Sequence, residues 1–169
     1  AHALTIRLAG IAYAVSIGLQ QAATVRMARR ADVGDRWLPS IAGTRLGLAA
    51  GLAHAAILGA VAVPLASAVL QDPATAATAT GLIMLLALSE LLVPLGAVAA
   101  GLMRGLKDTR MPMVYSLLGN WGVTLPTALL LTAADLGVTG LWLALSSGSL
   151  IASALTALRL RRYRALRLA

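Results

Sequence analysis

Glu90 is the residue of this chain best placed to do chemistry. It is the only acidic residue inside a long apolar run; Asp32, Asp35, Asp72, Asp108 and Asp135 all lie between such runs. An ionised carboxylate at mid-depth in a bilayer costs on the order of 3 kcal/mol on insertion scales. The protein must protonate it, pair it or hydrate it, and proton uptake near neutral pH is within reach of such a group. Pro94 lies four residues on and has no N–H, so a helix through both leaves the Glu90 carbonyl without its donor. A carboxylate and a free carbonyl at one point form a seat for a proton, a sodium ion or a cationic substrate. The plainer reading is a structural acid paired with a neighbouring helix.

The other polar groups within apolar runs are Tyr13, Gln20 and Gln21 in the first, His54 in the second, and Asn120 and Trp121 in the fourth. Asn and Gln commonly serve as hydrogen-bonding glue between helices, so packing competes with substrate contact at each of these positions. His54 reads first as a packing residue and second as a cavity residue. Trp121 lies too deep for an interfacial aromatic belt and could hold a cation against its ring, whereas Tyr115 and Trp142 fit the belt. Gln21, Tyr13, Asn120, Trp121 and His54 are thus the candidate cavity and substrate residues.

Several chemistries are excluded. The chain has no cysteine and only two histidines, His2 and His54. Thiol catalysis, disulfide scaffolds and histidine-rich metal sites are therefore out, and no metal site is expected. There is no phosphate-binding glycine loop, nucleophile elbow or paired-histidine zinc helix. One buried acid without a second acid, histidine or thiol is a poor catalytic set, so no enzyme activity, catalytic residue or organic cofactor is expected.

The elements that must position Glu90 follow from composition. Of 169 residues, 59% are hydrophobic and 12% charged, with mean hydropathy +0.85. A soluble domain has about 25% charged residues and lacks the interior to hide so much apolar surface. A crossing helix needs about 20 mostly apolar residues. Five runs qualify, at about 3–25, 46–70, 77–103, 113–132 and 138–158, followed by a basic tail at 159–169. None alternates with the period of a barrel strand. The fold expected is an all-α polytopic membrane protein, a single five-helix transmembrane bundle whose first partner is the lipid bilayer.

The charges orient it. Arg26, Arg29, Arg30, Arg36 and Arg45 follow the first run; Arg104, Lys107 and Arg110 follow the third; Arg159, Arg161, Arg162, Arg164 and Arg167 follow the fifth. The connections around Asp72 and Asp135 hold no Lys or Arg. This alternation obeys the positive-inside rule at every loop and puts the C-terminus in the cytoplasm. The remaining basic residue, Arg7, sits near the outer end of the first run, where its stem can snorkel. A net charge of +8 would suit nucleic acid on a polar domain, but these charges lie in short clusters between apolar runs, so no nucleic-acid partner is expected. The rule also places Ala1 outside, which calls for a further helix upstream.

Pro64, Pro94 and Pro126 each fall inside a run and are expected to kink it, freeing a carbonyl that a neighbour or water must satisfy. Gly43, Gly47, Gly51, Ala55 and Gly59 recur every fourth residue, as do Ala97, Gly101 and Gly105. Such stripes let two helix backbones approach closely.

The run Gly101-Leu-Met-Arg104-Gly105-Leu-Lys-Asp108-Thr109-Arg-Met-Pro112 resembles the pattern G-x-L-R-G-x-x-D-T-x-x-P of the MATE (multidrug and toxic compound extrusion) transporters. Trp121 to Pro126 is similar to the family's W-x(4)-P segment. Leu136-Gly137-Val-Thr139-Gly140-Leu-Trp142 resembles its L-G-x-x-G-x-W start of the last helix. Gly18-Leu-Gln-Gln21-Ala22-Ala-Thr24-Val-Arg26 resembles the end of the second helix of a lobe. The matches fall in order and span nearly the whole chain.

The resemblance implies helices 8–12 of a two-lobed, twelve-helix antiporter in the bacterial inner membrane. The N-terminal lobe of the same protein would be the missing partner. Such antiporters expel cationic amphipathic compounds in exchange for protons or sodium ions, and Glu90 is the expected coupling acid. Many members carry an acid at the position matching Val93, one turn from Glu90 on a similar face. The family loop V-G-Q-x-x-G-x-G-D stands here as Met27-Ala28-Arg29-Arg30-Ala31-Asp32-Val33-Gly34-Asp35, with two glycines lost. Two other readings are a lipid-linked-sugar flippase of the same superfamily, which an arginine-rich cavity would favour, and a non-transporting membrane scaffold subunit.

Overall fold

The computed structural model describes residues 1–31 and 37–165. Asp32, Asp35 and Arg36 of the first basic connection, the second half of the loop at 27–35, and Arg167 with the end of the basic tail lie outside the described residues. The elements are α1 (His2–Ala31), α2 (Trp37–Val69), α3 (Pro73–Glu90), α4 (Val93–Gly105), α5 (Arg110–Leu117), a π-helical segment (Leu118–Thr124), α6 (Leu125–Ala133) and α7 (Gly137–Ala165). They make five stretches long and apolar enough to cross a membrane: His2–Arg30, Leu38–Val69, Pro73–Gly105, Arg110–Ala133 and Gly137–Arg162. No strand occurs among the described residues.

The helices outrun the apolar runs that announce them. α1 continues through Arg26, Arg29 and Arg30, because arginine is a good helix former and its charge is favourable at a helix C-terminus. α3 has a complete start signal. Asp72 is its N-cap, the Thr75 N–H donates to Asp72 Oδ2 at 2.8 Å, and Pro73 opens the first turn. The Thr75 hydroxyl also donates to Asp72, and these bonds hold the Asp72 carboxyl below the usual carboxylate range.

One of the three prolines acts differently from expectation. The run at 77–103 is not one kinked helix: α3 stops at Glu90, Leu91 and Leu92 form a turn, and α4 begins at Val93 with Pro94 in its first turn. A new helix tolerates proline there because its N–H would have no partner in any case. The run at 113–132 stays helical from Arg110 to Ala133 but passes through the π segment, and Pro126 lies two residues after that segment ends. Pro64 stays inside α2. There Ser67 Oγ donates to the Val63 carbonyl at 3.0 Å and the Pro64 carbonyl at 3.2 Å.

α4 is the centre of the bundle, with α1, α2 and α7 packed around it. Val98, Ala99, Leu102 and Met103 of α4 form one core cluster with Ala23 and Met27 of α1 and Leu160 of α7. A second cluster joins Leu58 and Ala62 of α2 to Leu82, Ile83, Leu86 and Ala87 of α3 and Trp142 of α7. Lipid tails are as apolar as these side chains, so close fit rather than water exclusion holds the helices together. The small residues supply that fit. A Cβ added at Gly47 would lie 2.9 Å from Leu95 Cα, and one at Gly105 would lie 2.6 Å from Met27 Cβ.

Candidate cation and substrate site

Glu90 is the last residue of α3 and is 5% exposed. Its Oε2 lies 2.8 Å from His54 Nδ1 of α2, with both side chains largely buried. The α2 stripe makes that contact possible. Gly51, one turn before His54, lies against the break between α3 and α4, where an added Cβ would press on the Leu91 carbonyl and sit 3.1 Å from the Glu90 carbonyl oxygen. Within the break, the Leu92 N–H donates to Ser89 O at 3.2 Å and the Gly96 N–H to Leu92 O at 2.9 Å. Pro94 has no N–H to give to the Glu90 carbonyl.

Glu90 also lines a cavity of about 610 Å³ walled by α1, α3, α4, α7 and the α5 stretch, and His54 is not part of that wall. Its polar lining is mostly hydroxyl. Ser16 of α1 and Ser146, Ser149, Ser153 and Thr156 of α7 all contribute, with Ser89 beside Glu90. Ser89 Oγ and Thr156 Oγ1 donate to carbonyls of their own helices, at 2.8 and 2.7 Å. Ser16 Oγ is buried with no hydrogen-bond partner. The charged groups of the lining are Glu90 and, toward the α4–α5 turn, Arg104. Val93, three residues after Glu90, lines the same cavity.

The candidates from the sequence divide. Tyr13 and Asn120 line the cavity, and Asn120 Nδ2 donates to Ser116 Oγ at 3.2 Å. Gln20 lines it in place of its neighbour Gln21, which is exposed. Trp121 is 67% exposed and lies off the cavity, the next residue after Asn120 being turned away on the π segment. His54 is also off the cavity and bound to Glu90. Trp142, expected in an interfacial belt, is instead buried inside the bundle; its Nε1 donates to His2 Nδ1 at 3.1 Å and its ring helps wall the cavity. The α7 hydroxyls escaped the sequence reading. Their signal was available: Ser146, Ser149, Ser153 and Thr156 are spaced three, four and three apart, one face of a helix.

Among the described residues, no three His, Cys, Asp or Glu side chains gather where they could hold a metal ion. The site can instead accept one positive charge at Glu90 and solvate a ligand through hydroxyls and apolar walls.

The sequence model of the family described as MatE matches residues 1–130. A probable multidrug resistance protein NorM of Mesorhizobium japonicum is 40% identical over 97% of this chain and 37% of its own length. Proteins of the same name from Burkholderia pseudomallei and Deinococcus radiodurans are 36% and 35% identical, over 88% and 90% of this chain and 34% and 36% of their own lengths. The chain thus spans about a third of the length of these relatives. No solved structure matches it.

Proposed function

The chain belongs to the MatE family, and we propose that it forms the larger part of the C-terminal lobe of a multidrug efflux antiporter. In this reading it lies in a bacterial inner membrane with its C-terminus in the cytoplasm, and a second lobe of the same protein completes the substrate path. The relatives named as multidrug resistance proteins support efflux. The observation that carries the mechanism is the placement of Glu90: buried, at a helix break, on the wall of a hydroxyl-lined cavity.

Glu90 binds the coupling cation, a proton or a sodium ion, and exchanges it for a cationic amphipathic substrate. A negative charge in lipid is costly, so one positive partner must be present at most times. Replacing one partner by the other changes the packing around the Leu91–Leu92 turn, where α3 and α4 are joined by few backbone hydrogen bonds. The exchange can bias inward- and outward-open states only by the difference in affinity between them, about 1.4 kcal/mol for each tenfold. The cavity's charged lining of one acid and one arginine does not favour a flippase for lipid-linked anions.

The test is drug resistance of cells expressing the complete transporter with Glu90→Gln. Loss of resistance at unchanged membrane abundance is expected. Unchanged resistance removes Glu90 from the mechanism.

A further inference from the structure

We infer that His54 and Glu90 hold the coupling ion as a single proton shared between them, which makes this transporter proton-driven and assigns His54 as the positioning residue for that proton. This rests on the reading of Glu90 as the coupling acid and adds to it the identity of the ion and the role of a residue outside the cavity.

The geometry disfavours a metal ion. Hard cations such as sodium take several oxygen ligands at once. Here Glu90 Oε2 lies at hydrogen-bonding distance from a ring nitrogen, 2.8 Å away, and no second carboxylate joins a cluster with it among the described residues. A ring nitrogen at that distance is a partner that a proton can bridge and one that hard cations, which favour oxygen, do not seek.

The proton count closes. With one exchangeable proton the pair is neutral, as imidazolium with carboxylate or as imidazole with carboxylic acid. When that proton leaves to water the pair carries one negative charge, and the neutral ring still donates its Nδ1 proton to Oε2. The hydrogen bond therefore exists in both states, and the negative state lasts only until a cation, substrate or proton, restores the lost charge. A substrate cation entering the cavity meets Glu90, while His54 stands outside the lining. One substrate charge enters, one proton leaves, and the local charge is conserved.

The surroundings contain few groups that could share this duty. From α2, the next ionisable residue is Arg45, more than two turns from His54. From α1, Tyr13 shares the cavity, while Arg7 and the Trp142-bound His2 lie toward the helix start. From α4, Arg104 lies at the far end of the lining. α7 has no ionisable side chain before Arg159.

The experiment uses the complete transporter, purified in weakly buffered detergent, with ethidium as the cationic probe and a pH-indicator dye. Wild type is expected to release about one proton per ethidium bound, by linkage. Saturating sodium chloride, matched with choline chloride for ionic strength, should leave ethidium binding unchanged. His54→Gln should move the pH midpoint of ethidium affinity by about one unit or more, a tenfold change in the proton equilibrium. Glu90→Gln should abolish proton release. Absence of proton release from wild type, or sodium competing with ethidium, overturns the inference, and neither result depends on any variant folding. A pH profile unchanged in both His54→Gln and His54→Asn, each shown to be folded by its thermal melt, removes His54 from its role. If instead Glu90→Gln keeps both ethidium binding and proton release, the underlying reading of Glu90 is what fails.

Discussion

His54 Nδ1 stands 2.8 Å from Glu90 Oε2 across the interface of α2 and α3, and Gly51, one turn before His54, is what lets the two helices come so near. The pair joins residues 36 apart in sequence. It ties the acid of the cavity to the helix whose small-residue stripe follows the break between α3 and α4.

Gly51→Ala therefore tests the stripe. The new methyl would lie 3.0 Å from the Leu91 carbonyl carbon and closer still to its oxygen, and a backbone group cannot turn aside as a side chain can. Overpacking of this kind costs about 1–3 kcal/mol. A lower melting temperature in detergent and weaker pairing of His54 with Glu90 are expected. Gly59→Ala is the matched control. It meets nothing within 4 Å, and its expected effect is neutral or a gain of up to about 1 kcal/mol from helix propensity. Equal melting temperatures for the two variants would refute the close approach.

Pro94→Ala tests the break. Alanine restores an N–H four residues after Glu90, which can close the bond that proline leaves open. One net backbone hydrogen bond is worth about 1 kcal/mol. Amide exchange across residues 91–95 should slow roughly fivefold, and efflux should fall as the turn stiffens. Unchanged exchange would mean that the Leu91–Leu92 turn is set by tertiary packing and not by proline.

Asp72 gives a pH prediction outside the membrane. Its hydrogen bonds to Thr75 hold the folded carboxyl below its unfolded value of about 3.9. A depressed value means that the cap contributes fully above the unfolded value and is lost as pH falls through the folded one. Exchange at the Thr75 amide should accelerate only in strong acid, and Asp72→Ala should show the accelerated rate at neutral pH. An exchange rate in Asp72→Ala equal to wild type at neutral pH would contradict the cap.

Much of this architecture was legible because membrane helices declare themselves by length and apolarity, and because the basic connections alternate with neutral ones. Five runs in the sequence correspond to five long helical stretches. The Glu90 anomaly was legible for the same reason, as a charge in an apolar run. The break at Leu91–Leu92 and the π segment at Leu118–Thr124 were not. Proline signals that a helical bond is missing, but whether the helix bends or restarts depends on what packs there, and Gly51 packs there. The partnership of His54 was illegible because α2 and α3 could present any of several faces to one another. Trp142 misled because its position near a helix start suits both an interfacial belt and a buried seat against His2.

The most direct test of the central claim is ethidium efflux from proteoliposomes of the complete transporter, driven by an imposed cation gradient, with Glu90→Gln beside wild type. Exchange at Glu90 predicts that efflux by the variant falls to the level of protein-free vesicles while its melting temperature is maintained. Gradient-driven efflux by Glu90→Gln at the wild-type rate would contradict it.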